Sequence, residues 1–132
     1  MDQGDDIFGV DNLNDYYNVR LKNWRLEQLK AHPNAQSFTF ANLDIEDQTK
    51  LIDLFQARGP FDAVLNLAAR AGVRYSMENP HVYLSTNTEG TLNILQCMRE
   101  QSCQKLVLAS TSSLYAGQKI PFTEDLAVNE PL

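Results

Sequence analysis

Apolar residues along this chain come in short bursts separated by longer amphipathic runs. The first burst, Ile7-Phe8-Gly9-Val10, ends at Asp11-Asn12 and predicts a strand. A polar, aromatic loop follows over residues 12–17. Residues 20–32 are rich in Leu, Lys, Arg and Gln and predict a helix, ended by Pro33-Asn34. Leu21, Trp24 and Leu29 share roughly one face of it, and Leu26 lies off that face. Residues 37–41 alternate and predict a second strand, leading to Asn42-Leu43-Asp44-Ile45. Glu46, Asp47 and Gln48 open a second helix with acidic residues at the positive end of its dipole. Leu51, Leu54 and Phe55 form its buried face, and Arg58-Gly59-Pro60 closes it.

The next burst organises the rest. Phe61 to Asn66 reads as a buried strand entered from Gly59-Pro60. It breaks into small residues at Ala68, Ala69, Ala71 and Gly72. Two explanations weigh equally: tight packing of a loop, or room for a ligand at the carboxyl end of a strand. After a loop over residues 68–79, Pro80 sits at a favourable first-turn position of a helix running to about Gln101. Tyr83, Asn87, Gly90, Ile94 and Cys97 fall on one stripe of that helix. Gly90 permits a close approach to the sheet, at about 1 kcal/mol of helix propensity relative to Ala. Asn87 is a polar residue on an otherwise buried face, so it either satisfies a loop carbonyl in the core or has a functional task. Residues 105–110 predict a fourth strand that breaks into Thr111-Ser112-Ser113. Residues 114–132 read as loop, punctuated by Pro121 and Pro131.

Strands alternating with helices imply parallel pairing with right-handed crossovers, so the fold class is α/β, a doubly wound parallel sheet. At 132 residues the chain suits one domain, and an apolar fraction of 43% supports a globular core. The formal net charge of −6 argues against nucleic-acid binding and against an anionic membrane surface. No apolar run is long enough to cross a membrane, and the first residues do not resemble a signal peptide. Cys97 and Cys103 form no disulfide framework, which suits free thiols in a reducing cytoplasm. His32 and His81 lack the partners of a metal set.

The chemistry is concentrated where strands end. An acid such as Asp11, after the first strand of this chain, accepts hydrogen bonds from adenosine ribose hydroxyls in dinucleotide folds and repels a 2′-phosphate, which favours NAD over NADP. Taken alone, Asp11 is better read as an ordinary turn residue. Asp44-Ile45, residues 66–69 and residues 110–112 follow the other strands in the same way, all on one edge of the sheet. Thr111 and Ser112 lack a His base for a triad. Arg70 and Arg74 flank the small-residue loop and suit either an anion or solvated surface.

Several motifs in this order resemble the extended short-chain dehydrogenase/reductases. They are Asp11-Asn12-Leu13-Asn14-Asp15-Tyr16-Tyr17, Asn66-Leu67-Ala68-Ala69, Ala71-Gly72-Val73-Arg74-Tyr75-Ser76, Asn87 with Gly90-Thr91-Leu92-Asn93, and Ala109-Ser110-Thr111-Ser112-Ser113-Leu114-Tyr115. Within that family the chain is most similar to the nucleotide-sugar 4-epimerases, and nearest to the UDP-glucuronate 4-epimerases. The resemblance implies NAD as cofactor, a UDP-sugar substrate and a homodimeric parent. It implies that Asp11 and Asn12 contact the adenosine ribose and that Asp44 and Ile45 contact the adenine. Leu67, Ala68 and Ala69 would lie along the phosphates and ribose, with Asn87 and Ser110 also on the cofactor. Thr111 would bond the reacting sugar hydroxyl as a catalytic residue, with Arg74 and Ser112 on the substrate side.

The same resemblance implies parts that these residues do not contain. The family opens with a strand and a Gly-x-x-Gly-x-x-Gly turn, whereas Gly4 and Gly9 have other spacing. The family also uses Tyr followed four residues later by Lys, and none of Tyr16, Tyr17, Tyr75, Tyr83 or Tyr115 has it. Residues 1–132 are therefore expected to be a partial NAD-binding Rossmann-like domain, the second to fifth strands, with the catalytic pair beyond Leu132 and the fragment inactive alone. The missing strand would leave a gap in the sheet, which either closes or leaves two inner edges unpaired. Two other readings are a nucleotide-sugar 4,6-dehydratase fragment and a non-catalytic interaction module. The dehydratase needs an acid and a base directly after the strand-end Thr, where Ser112-Ser113 stand.

Overall fold

The computed structural model describes residues 1–126; the part of the expected terminal loop beyond them, including Pro131, lies outside the described residues. Four strands, β1 (Ile7–Asp11), β2 (Phe38–Asn42), β3 (Val64–Asn66) and β4 (Leu106–Leu108), alternate with helices α1 (Val19–Lys30), α2 (Gln48–Arg58) and a compound helix from His81 to Glu100. This is an α/β, Rossmann-like arrangement in which every pairing is parallel. β1 runs beside β2, from Ile7 opposite Phe38 to Asp11 opposite Asn42. β3 runs beside β4, from Val64 opposite Leu106 to Asn66 opposite Leu108. The described residues thus form two separate two-stranded sheets, and β1 does not pair with β3. Of the two outcomes expected for the sheet, the described residues show the one in which β1 and β3 stay unpaired. Phe8 reaches across to Phe61 edge-on, with ring centroids 6.1 Å apart, and Arg58 lies over the Phe8 ring.

The core lies behind β3 and β4. Ile45, Leu51, Phe55, Ile94, Cys97 and Met98 are buried together, and Val64 and Leu106 pack on them from the sheet. Fully burying side chains of this size stabilises by about 1.5–3 kcal/mol each, so this cluster dominates the fold. Asp47 caps α2, its Oδ1 accepting from the Lys50 amide at 3.1 Å. Gly90 packs directly on Ile45: a Cβ there would lie 2.6 Å from the Ile45 Cδ1. Gly90 does make a close approach, but to Ile45, three residues beyond the end of β2, and not to the sheet itself.

Four expectations from the sequence need correction. The third strand is buried on one face only: Leu65 and Val107 are 65% and 56% exposed, because no layer among the described residues covers the other face. On α1 the inward face carries Lys22 and Leu26, while Trp24 is 59% exposed. Its apolar residues are too few to fix the facing, and the groove beside it decides. The loop over residues 68–79 contains a helix, α3 (Val73–Glu78), opened by Gly72 at φ +102°. The long helix is not uniform either. α4 (His81–Tyr83) passes into a π-helical segment (Leu84–Gly90) and then α5 (Thr91–Glu100). The widened turns rotate one end against the other. Gly90, Ile94 and Cys97 stay in the core, while Tyr83 is half-buried and Asn87 exposed, both turned to the loop before α3.

Candidate functional site

The carboxyl ends of β1, β2 and β3 border one groove of about 660 Å³, within the range of ligand-binding clefts. Asp11 and Asn12 form one wall with α1, and residues 67–70 form the facing wall. β1 delivers Asp11 to this edge because parallel pairing with β2 puts both strand ends on the same side. The Asp11 carboxylate accepts from the Leu13 amide at 2.6 Å and lies 3.4 Å from Lys22 Nζ. Lys22 also donates to Asn14 Oδ1 at 3.2 Å. Asn12 Nδ2 donates to Asp44 Oδ2 at 2.7 Å, tying the end of β1 to the end of β2. The other Asp44 oxygen accepts from the Glu46 amide. Ile45 is buried, and its carbonyl accepts from Asn93 Nδ2 at 3.0 Å.

Across the groove, Asn66 is 3% exposed and fully engaged. It donates to Thr91 Oγ1 at 3.1 Å and accepts from the Ala68 amide at 3.2 Å, which turns the chain sharply out of β3. Leu67, Ala68 and Ala69 then run exposed along the groove wall. Asn87 holds the next residue on both sides: its Oδ1 accepts from the Arg70 amide at 2.7 Å and its Nδ2 donates to the Arg70 carbonyl at 3.0 Å. Buried Thr86 donates to Glu46 and lies 3.5 Å from Arg70 Nε. The ends of β2 and β3 are thus joined through the π-helical segment.

Of the residues singled out in the sequence, Asp11, Asn12, Ile45, Leu67, Ala68 and Ala69 converge on this groove. Asp44 stands behind Asn12, and Asn87 behind Arg70. Ser110, Thr111 and Ser112 are exposed after β4 and lie outside the groove lining. The Ala109 amide bonds the Asn66 carbonyl at 3.1 Å, so this segment leaves the sheet beside β3. Thr111 Oγ1 accepts from the Ser113 amide and caps the short turn Ser112–Tyr115. Arg74 is exposed in the first turn of α3. Lys22, Arg25 and Tyr16 also line the groove and are absent from the sequence-based set. Lys22 stands eleven residues after Asp11 on α1, and Leu21 and Leu29 of the apolar pattern line the same groove beside it.

The profile of the family described as GDP-mannose 4,6 dehydratase matches residues 1–131. The chain belongs to this family. It is 51% identical over 132 residues to a UDP-glucuronate 4-epimerase of Thermodesulfobacterium geofontis, covering 100% of this chain and 40% of that relative. A UDP-glucose 4-epimerase of Stenotrophomonas maltophila, solved with NAD and formylated UDP-arabinopyranose, superposes with a TM-score of 0.71 at 27% identity. The match covers 94% of this chain and 35% of that one. A Bifidobacterium longum UDP-glucose 4-epimerase, in complex with NAD⁺ and UDP, gives 0.70 at 26% identity, covering 93% of this chain and 35% of that one. The chain therefore spans about 40% of the length of the curated relative it matches. No helix among the described residues is long and apolar enough to cross a membrane.

Proposed function

We propose that this chain is the dinucleotide-binding part of an NAD-dependent nucleotide-sugar 4-epimerase whose substrate is UDP-glucuronate. One observation carries the reading: residues from three strand ends, Asp11 and Asn12, Ile45, and residues 67–69, line a single groove of ligand size. Those groups fit a dinucleotide. A half-exposed carboxylate at the end of β1 suits ribose hydroxyls, and a bare wall of Ala68 and Ala69 lets a flat group lie against the backbone. NAD, when bound, supplies a hydride acceptor and donor for the sugar C4.

The chain's own residues bind and orient. Asp11 and Asn12 hold the adenosine ribose, and Asp44 fixes Asn12 for that task. Asp44 and Ile45 border the adenine. Asn87 holds the Arg70 backbone, so its contribution to the nicotinamide side passes through the loop it positions. Ser110 is assigned to the cofactor side, Thr111 to the reacting sugar hydroxyl, and Ser112 and Arg74 to the substrate, with Arg74 for the sugar carboxylate. The identity to a UDP-glucuronate 4-epimerase and the NAD-bound structural relatives support this assignment. The remaining steps need groups supplied by a longer protein, which works as a cytoplasmic homodimer without nucleic-acid or membrane partners.

The test is turnover by the full-length protein purified with NAD. Conversion of UDP-glucuronate to its C4 epimer, followed by proton NMR of the anomeric signals, is the expected result. GDP-mannose is run in parallel, because loss of water to a 4-keto-6-deoxy sugar would make the protein a dehydratase. NAD binding with neither reaction would overturn the epimerase assignment. An absence of NAD binding would overturn the cofactor site as well.

A further inference from the structure

Two tyrosine hydroxyls from different elements meet at one peptide, with a third tyrosine ring packed beside them. Tyr16 comes from the loop after β1, Tyr75 from α3 and Tyr83 from the start of the compound helix. The Tyr16 hydroxyl donates to the Ala71 carbonyl. The Tyr83 hydroxyl lies 2.8 Å from the same carbonyl and 2.7 Å from the Gly72 carbonyl. Each phenol has one hydrogen to give, so the balanced arrangement is Tyr16 on Ala71 and Tyr83 on Gly72. The two hydroxyls stand 3.5 Å apart. The Tyr75 ring fills the space beside them, with centroids 5.7 Å from Tyr16 and 6.3 Å from Tyr83.

Two independent features show that the local backbone is fitted to this arrangement. Gly72 sits at φ +102°, and a Cβ there would come within 3.2 Å of the Tyr16 oxygen and 3.7 Å of the Tyr83 oxygen. A side chain at this position would be strained and would crowd the phenols. In addition, Arg70 stacks its guanidinium 5.2 Å from the centre of the Tyr16 ring while Asn87 grips its backbone. Loss of hydration, with the neighbouring Tyr16 hydroxyl, pushes the Tyr83 phenol up to about 12, so it stays protonated as a donor throughout the neutral range.

Only Tyr16 among the three tyrosines also lines the groove. Its ring is shared between the wall beside Asp11 and the residue that opens α3, which carries Arg74 in its first turn. We propose that Tyr16 and Tyr83 clamp the Ala71–Gly72 carbonyls, and that through Tyr16 a dinucleotide in the groove sets the orientation of α3 and of Arg74. These are positioning residues, and the proposal rests on the function proposed above. Its consequence is reciprocal coupling: each ligand raises the affinity for the other by the same factor.

The experiment compares wild type, Tyr16→Phe and Tyr83→Phe in the full-length protein. UDP-glucuronate is titrated calorimetrically with and without saturating NAD. NAD should tighten UDP-glucuronate binding by about fivefold or more in wild type, a typical coupling between sites. Tyr16→Phe should abolish most of that gain, bringing the ratio of the two UDP-glucuronate affinities close to one. Tyr83→Phe should remove part of it. Full coupling in Tyr16→Phe overturns the proposal, as does a loss of NAD affinity with no change in coupling.

A second arm does not need either ligand. Trypsin cleavage after Arg70 and Arg74 is timed in the same three proteins. The clamp requires several-fold faster cleavage in both variants. Unchanged cleavage overturns the clamp whatever the ligands do. If wild type binds neither NAD nor UDP-glucuronate, the functional assignment and the coupling fail together, and faster cleavage would leave only the clamp standing.

Discussion

The two half-sheets are built from similar strands and end up in different circumstances. β1 and β2 share five paired positions, Ile7 to Asp11 against Phe38 to Asn42, yet contribute no fully buried residue. β3 and β4 share three and back directly onto the core through Val64 and Leu106, while Leu65 and Val107 face outward at more than half exposure. Ladder length and burial therefore do not travel together here. The longer ladder is held by backbone pairing and by its loops. The shorter one is held by the helices behind it. Besides the Phe8–Phe61 and Thr86–Glu46 contacts, one contact joins them inside the core: Ile45, three residues beyond β2, packs on Gly90 and accepts from Asn93. Stability of the whole should depend on that junction more than on either ladder.

Gly90→Val is the severest way to break the junction. Its Cβ would already meet Ile45 at 2.6 Å, so overpacking should cost about 3 kcal/mol, at the upper end of such effects. Urea unfolding checks it. Adding Ile45→Ala should recover part of the loss, and strict additivity would show that the two residues do not share this contact. Asn93→Leu comes next. It leaves the Ile45 carbonyl without its donor inside the core, at a cost of about 2 kcal/mol by the same measurement.

Asp47→Ala tests the core-backed half from the side, by uncapping α2, and its effect should be smaller than either. The Lys50 ammonium, followed by the Lys50 amide, holds the Asp47 carboxyl below its ordinary value of 3.8. A carboxyl depressed in the folded state stabilises fully above its unfolded value and loses that contribution as pH falls through the folded one. Thermal midpoints of wild type and Asp47→Ala should accordingly differ at neutral pH and converge below about pH 4. Leu65→Lys should leave the midpoint of this chain unchanged, because Leu65 is 65% exposed, and should reduce self-association measured by light scattering. A lowered midpoint would mean that something already covers that face.

The elements themselves were legible because each carried a local signal. Leu51, Leu54 and Phe55 marked the inner face of α2, Pro80 marked the start of the compound helix, and Gly90 marked a close approach. Asp11, Asn12 and residues 67–69 could be read as one edge because parallel strands put all their carboxyl ends together. What escaped depends on neighbours distant in sequence. α1 buries none of its residues, so its apolar positions do not say which way it faces, and no local signal marks Lys22. α3 is a short helix without a side-chain cap at its start, set by the backbone of Gly72 and by phenols from two other elements. The exposed face of Leu65 was hidden by composition, since an apolar run looks the same whether one or both of its faces are covered.

The π-helical segment Leu84–Gly90 gives the compound helix something that composition does not record, a slip of phase along its own axis. A uniform α-helix would bind Tyr83 and Asn87 to the same azimuth as Gly90, Ile94 and Cys97. With the slip, the front of the helix answers to the Arg70–Gly72 peptide and the rear answers to the core. The quantity that keeps these apart is a count of residues and not their identity. Removing any one residue between 84 and 90 would restore an ordinary helical phase, keep nearly every side chain, and turn the two ends out of step with their partners. This segment should therefore tolerate many substitutions at its exposed positions and almost no change in length.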